Sequence, residues 1–399
     1  MRILHTSDWH LGRTFHGVEL LADQRRALAD LAAVVASESV DVVVVAGDVY
    51  DRSVPSADAV AVYDEGLGLI SAAGAQIVVT SGNHDSPTRL GAGSSFAAAG
   101  GLHLRTSIAA ITDPVLIDDE DGPVAFYGIP YLEPDTARTE LGAVDARSHQ
   151  QVLDAAMSRI RADLADRDGV RSVVAAHAFV VGGAATGSER SISVGGVETV
   201  AVQTFSGVDY VALGHLHSPQ TLTPAVRYSG SPLAYSFGER THRKSVWIVD
   251  LDADGLAEVR PHELPVVRGL SSLRGTLDDL LADESLADAE DHYVEATLTD
   301  ALRPVDAMRR LRERFPYAVH VNWDRPHSGD GVDYRSRVHG RSDADIVTSF
   351  VTDVRDAPSG GECRIIERAL RAVVGEPESE TASDGEWALF ALPEVAESA

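Results

Sequence analysis

The sequence predicts an α/β protein, and three observations carry that expectation. Short apolar runs alternate with helical patterns through the first 250 residues. With 399 residues, 44% hydrophobic and 24% charged, the chain can bury one large core and carry smaller domains beside it. The predicted strands end repeatedly on Asp, Asn or His, at the strand end where ligands gather in open α/β sheets.

Arg2 to His5 reads as the first strand. The helix after it, over 19–37, sets Leu20, Leu21, Leu28, Leu31, Val34 and Val35 near one face. Val40 to Ala46 is apolar and β-branched apart from Asp41, as a strand buried on both faces requires. Ser56, after Pro55, can cap a helix running to Ala73, and Gln76 to Thr80 is the next strand. Ser148 and Gln151 have capping-box spacing ahead of a helix with Val152, Ala156, Ile160 and Leu164 on one side. Ser172 to Ala176 and Tyr210 to Leu213 are further buried strands, and 225–260 reads as strands and turns.

The pattern changes after Pro265. A strand (Tyr293 to Leu298), a helix (Val305 to Arg314) and a strand (Ala318 to Trp323) make a small α/β unit. Polar, Gly- and Asp-rich residues then read as a linker, followed by helical patterns at Ala344 to Arg355 and Glu362 to Val374. The last 25 residues carry seven acidic side chains and no basic one, which predicts a mostly disordered tail. The expected division is 1–265, 266–323, a linker at 324–343, a helical segment at 344–374 and a tail at 375–399.

The net charge of −27, from 34 basic and 61 acidic side chains, argues against indiscriminate adhesion to nucleic acid or anionic membrane. A lone Cys363 cannot form an internal disulfide, which fits a reducing cytoplasm. The opening MRILHTSDWHLG lacks signal-peptide features, and no apolar run long enough to cross a membrane occurs. Lys244 is the single lysine among 34 cationic residues, a bias read here as that of GC-rich coding.

Five clusters carry chemistry. Asp8 and His10 stand two apart, so an extended segment projects both to one side. Gly47-Asp48 follows the strand ending at Ala46, and Gly82-Asn83-His84-Asp85 follows the strand ending at Thr80. His177 closes the strand of 172–176, and Gly214-His215-Leu216-His217 again spaces two histidines by two. Each cluster has a bland reading, with GNHD and GHxH more specific than the rest, and their conjunction in fixed order at strand ends decides the matter. The ligands Asp8, His10, Asp48, Asn83, His177, His215 and His217 supply only nitrogen and oxygen, suiting two ions of the manganese, iron or zinc kind.

In this order of motifs the sequence resembles the calcineurin-like metallophosphoesterases. The segments LHTSDWHLGRTFHG, AGDVYDRSVPS, HAFVVGGAATGSERSISVGG, DYVALGHLHSPQ and YSGSPLAYSFGE narrow the resemblance to the SbcD family of nuclease subunits, over about residues 1–265. The resemblance implies a β-sandwich flanked by helices, with 266–323 as a capping domain. It also implies that Asp8, His10 and His217 bind one metal, that Asn83, His177 and His215 bind a second, and that Asp48 bridges. His84 would be the catalytic histidine, with Asp85 orienting its ring, and manganese the preferred ion. It implies in-line hydrolysis of DNA without a covalent intermediate, in a homodimer that forms a heterotetramer with a coiled-coil ATPase of the SbcC type. Helices 344–374 would grip that ATPase, and no P-loop occurs in this chain to supply one.

Arg13, Arg52, Arg89 and Arg190 are the candidates for phosphate contacts. The five motifs alone leave open a small-molecule phosphodiesterase or phosphatase, and a non-catalytic scaffold would be expected to have lost ligands that are all present here. The tail holds seven of the negative charges, and the acidity that remains predicts weak, salt-sensitive DNA binding by the chain alone.

Overall fold

The computed structural model describes residues 1–185, 189, 199–324, 338, 340–354 and 357–374. The chain divides into two compact units, residues 1–300 with 304–324, and 301–303 with 325–399.

The first unit is built on two six-stranded sheets. One runs β14 (Gly255–Glu263), β13 (Ser245–Asp252), β1 (Arg2–Thr6), β4 (Val42–Ala46), β5 (Gln76–Thr80) and β6 (Leu102–Leu104). The other runs β11 (Gln220–Thr223), β12 (Val226–Tyr228), β10 (Tyr210–Gly214), β9 (Arg171–His177), β8 (Gly122–Ile129) and β7 (Val115–Asp119). Strands β1, β4, β5 and β6 are parallel, as are β8, β9, β10 and β12, while β13–β14, β11–β12 and β7–β8 are antiparallel hairpins and β13 joins β1 antiparallel.

Successive strand residues point to opposite faces, and both faces of the central strands are covered. Ile3, Val42, Val44, Ala46 and Val78 meet Phe126, Val173, Ala175, Tyr210 and Ala212 between the sheets. Val43, Val45, Ile77 and Val79 face the helices Leu21–Glu38 and Ala57–Ala72 instead. On the far side of the second sheet, Val174, Ala176, Val211 and Leu213 pack with Val152, Ala156 and Ile160 of the helix His149–Ala165. The result is the β-sandwich flanked by helices that the sequence led one to expect, with β4 a continuous apolar run because neither of its faces meets water.

The caps act as their chemistry requires. Ser56 Oγ accepts from Ala59 N at 3.2 Å, a cap of about 1 kcal/mol. Ser148 Oγ accepts from Gln151 N at 3.3 Å, while Gln151 Oε1 accepts from Arg147 N rather than closing the box on Ser148.

Three strands, β15 (Leu270–Gly275), β16 (Tyr293–Leu298) and β17 (Ala318–Trp323), form a separate parallel sheet. It has its own core of Leu277, Val294, Ala296, Leu311 and Phe315. A second cluster joins Tyr293 and Val319 to Phe15, Leu20 and Phe237, beside the hairpin of β2 (Thr14–Phe15) and β3 (Val18–Glu19). Tyr293 Oη donates to Asp23 at 2.8 Å across this junction. The second unit contains helices Asp343–Val354 and Gly360–Val374. The expected tail lies outside the described residues, as do most of the expected linker and Arg190. Among the described residues no helix is long and apolar enough to cross a membrane.

Candidate metal centre

Every cluster singled out in the sequence lies at the carboxyl end of a strand. Asp8 and His10 follow β1, Asp48 follows β4, Asn83 and His84 follow β5, His177 ends β9, and His215 and His217 follow β10. The turns that bring them in are sharp. Asp8, His10, Asp48 and His215 have φ of 55°, 45°, 49° and 111°, conformations costly for residues with a Cβ and characteristic of functional sites. Glycine permits two close approaches: a Cβ on Gly214 would strike the Ala46 carbonyl oxygen of the facing sheet, and one on Gly82 the Asp48 carboxylate on the neighbouring loop of its own sheet.

Main-chain donors aim both carboxylates. His215 N donates to both oxygens of Asp8 at 3.1 Å, and His84 N donates to Asp48 Oδ1 at 2.9 Å. The imidazoles share one pattern, in which Nδ1 turns to an oxygen and Nε2 turns to the centre. His177 Nδ1 donates to Ala46 O at 3.0 Å, and His84 Nδ1 donates to Asp51 O at 2.8 Å. His10 Nδ1 stands 3.6 Å from Asp51 Oδ1, and His217 Nδ1 stands 3.9 Å from Glu239 Oε1. At the centre, Asp48 Oδ2 lies 3.4 Å from His177 Nε2, 3.5 Å from His10 Nε2 and 4.0 Å from His84 Nε2. His217 Nε2 faces His10 Nε2 at 3.1 Å.

Protein atoms alone satisfy this arrangement poorly. His177 Nδ1 must donate to a carbonyl, yet its Nε2 faces only acceptors, Asn83 Oδ1 at 3.0 Å and Asp48 Oδ2. A second proton or a cation completes such a site. Burial would lower the His177 pKa, but Asp48 overcomes it and raises the ring to about 9. Burial would raise Asp48, but His177, His10 and His84 hold it well below the usual carboxylate range. Burial pushes His10 and His215 down to about 3, so both are neutral and available as ligands. Burial likewise raises Asp8, against the pull of His177 and His217.

Three overlapping groups place their ligand atoms within 4.8 Å of one another: Asp8, His10 and His217; His10, Asp48 and His84; and Asp8, Asp48 and His177. Asp8, His10 and Asp48 each belong to two of them. The donors are nitrogen and oxygen with no thiolate, a set suited to divalent manganese, iron or zinc. Asn83 joins through His177, and the His215 ring lies edge-on to His177 at a centroid distance of 5.3 Å, outside the three groups.

Asp85 corrects one expectation. Its carboxylate does not hold the His84 ring; it accepts from Val49 N at 3.1 Å, Tyr50 N at 2.9 Å and Gly82 N at 2.8 Å. It thereby ties the loop after β4 to the loop after β5, and the Asp51 carbonyl orients the imidazole. Burial and the nearby Asp48 push the Asp85 carboxyl up to about 7, opposed by its three N–H donors. Of the arginine candidates, Arg13 lies 3.8 Å from Asp51 and over the Tyr235 ring, Arg52 is exposed 3.9 Å from Asp51, and Arg89 donates to Ser53 O.

Sequence reasoning passed over the residues behind the ligands. Gln24 Nε2 donates to the carbonyls of Trp9 and His10, Tyr235 Oη donates to Trp9 O, and Glu189 accepts from His217 N. Lys244 Nζ donates to Glu239 Oε2, which faces His217 through its other oxygen. Being the single lysine was the visible signal for Lys244; the others had none.

Buried carboxylates and imidazoles gathered on parallel strand ends, with an open imidazole beside them, are the equipment of a metal-dependent phosphoester hydrolase. Residues 1–219 match the model of the calcineurin-like phosphoesterase family. A Bacillus subtilis protein, the SbcD component of the nuclease SbcCD, is 36% identical over 347 residues, 80% of this chain and 85% of that one. The Staphylococcus epidermidis protein of the same name is 29% identical over 361 residues, 89% and 94% of the two chains. A solved dimetal phosphatase from Danio rerio is similar over 66% of this chain and 99% of its own, with 14% identity and a TM-score of 0.37. The chain belongs to the calcineurin-like phosphoesterases and, among them, to the SbcD nuclease family, as a metal-dependent phosphodiester hydrolase.

Proposed function

We propose that the chain is the nuclease subunit of an SbcCD-type complex for DNA repair and recombination, cutting duplex ends exonucleolytically and hairpins or single strands endonucleolytically. The observation that carries this is the convergence of His177, His10 and His84 Nε2 on Asp48 Oδ2, with His217 against His10. Asp8, His10 and His217 would hold one ion and Asn83, His177 and His215 the other, with Asp48 shared between them; manganese is the ion proposed. Bound divalent ions supply Lewis-acid charge to the phosphoryl oxygens and lower the pKa of the attacking water.

The protein's own groups do the rest. The Asp51 carbonyl fixes His84 Nδ1, so a protonated ring offers Nε2–H to the leaving oxygen. Arg13, Arg52 and Arg89, with Arg190 from outside the described residues, contact backbone phosphates and fix the register of the strand. Residues 266–323 cap the cleft, helices 344–374 grip the SbcC-type ATPase, and two copies of each subunit assemble in the cytoplasm. DNA cleavage is coupled to that ATPase.

The test is purified chain with manganese, with and without the ATPase and ATP, offered linear duplex, hairpin DNA and cyclic nucleotides. DNA cleavage enhanced by the ATPase is expected. Hydrolysis of cyclic nucleotides with DNA left intact under both conditions would replace the nuclease by a small-molecule phosphodiesterase.

A further inference from the structure

The chain has 34 cationic side chains and only one is lysine. That one, Lys244, is 9% exposed and sits directly behind the metal centre. Its Nζ donates to Glu239 Oε2 at 2.5 Å, His217 O at 2.8 Å and Ser231 Oγ at 3.0 Å. Three acceptors around a point match the three protons of an ammonium group. A guanidinium would bring five donors in a rigid plane and leave some of them buried without partners. The composition favours arginine everywhere else, so the lysine is required here by geometry.

These contacts take hold of His217 at both ends. Lys244 binds its carbonyl directly, together with Ser231 N at 3.2 Å. It also fixes Glu239, which is 1% exposed and turns Oε1 toward His217 Nδ1 at 3.9 Å. A proton on Nδ1 facing a carboxylate leaves the Nε2 lone pair directed at His10 Nε2 and the centre. Tyr235 lies edge-on to both rings, at centroid distances of 5.5 Å from His10 and 5.6 Å from His217, and keeps them from turning away.

We infer that Lys244 and Glu239 are positioning residues that hold His217 in the tautomer and direction needed to bind the first metal ion. The inference rests on the proposed reading of His217 as a ligand. No other contact described for Lys244 explains why an ammonium must be buried at this point.

The test measures manganese affinity by calorimetric titration, in parallel with electron paramagnetic resonance of the bound ions. Lys244→Met alone would leave the Glu239 charge buried without its partner, so the informative variant is Lys244→Met/Glu239→Gln, which buries no charge. Its thermal midpoint in chelator reports the fold separately. A drop of about 10- to 100-fold in affinity for one of two ions is expected, with the spectrum changing from a coupled pair to a single isolated ion. Should the double variant fail to fold, Lys244→Arg keeps the charge, breaks the three-point match and carries the same expectation. Affinity within twofold of the parent in whichever variant folds, while His217→Ala loses tenfold or more, overturns the inference and leaves His217 a ligand. If His217→Ala also binds manganese unchanged, the ligand reading fails and the inference falls with it.

Discussion

His10 Nε2 and His217 Nε2 face each other at 3.1 Å, although 207 residues separate them in the chain. Both rings are buried, and each is backed on its Nδ1 side by a carboxylate, Asp51 for His10 and Glu239 for His217. Two imidazole nitrogens aimed at one point are a hydrogen bond only if one carries a proton there, and otherwise a ligand pair.

Stability of the metal-free chain should depend on pH in two opposite ways. Burial lowers His5, His10 and His215 to about 3, below an unfolded value of 6.5. Their contribution is present above that value and lost as the pH falls below it. His177 is raised to about 9 by Asp48, against burial, so its contribution is complete below 6.5 and lost as the pH rises through 9. On the acid side the raised carboxyls of Asp85, at about 7, and Asp8 partly offset the three histidines, so thermal midpoints in chelator should peak near neutrality and fall on both sides. A flat acid limb down to the carboxylate range would contradict the burial of these rings.

Asp85→Ala removes the acceptor of three main-chain N–H groups in a site 7% exposed. The expected loss is at least about 2 kcal/mol of stability, read as a lower midpoint in denaturant. If Asp85 served only to orient the His84 ring, cleavage would fall while the midpoint stayed.

Gly214→Ala sets a Cβ against the Ala46 carbonyl of the facing sheet and the His177 ring. Overpacking of about 1–3 kcal/mol is expected, with weaker manganese binding because His177 loses its Ala46 acceptor. Unchanged titration by this variant would mean that the approach of the sheets does not set the ligand geometry.

Deleting residues 344–399 should leave intrinsic nuclease activity in place and weaken capture of the SbcC-type ATPase, measured by co-purification. Equal capture would remove the partner-binding role from helices Asp343–Val354 and Gly360–Val374.

Much of this was legible in the sequence for identifiable reasons. Strands β4 and β5 read cleanly because the runs VVVVA and QIVVT are buried on both faces and bounded by turns. Ser56 and Ser148 marked helix starts through local bonds three residues away. Short strands such as β2, β3 and β6 gave no such signal, since two or three residues cannot display a period. The ligand motifs were visible because each sits beside its own strand end. Asp51, Gln24, Tyr235 and Glu239 were not, because their roles exist only across contacts made by folding. Asp85 was misread for the same reason: its neighbour in sequence is His84, but its partners are N–H groups on two different loops.

The most direct measurement compares the manganese-loaded parent and His84→Gln for cleavage of hairpin DNA, with manganese titrated in the same samples. His84 Nε2 lies 4.0 Å from Asp48 Oδ2, at the edge of the centre, and its ring is the less buried one. The expected result is two ions bound with nearly parental affinity and a cleavage rate lower by about 100- to 10,000-fold. Parental cleavage by His84→Gln with its metals in place would contradict the assignment of proton transfer to this residue and, with it, the account of the site.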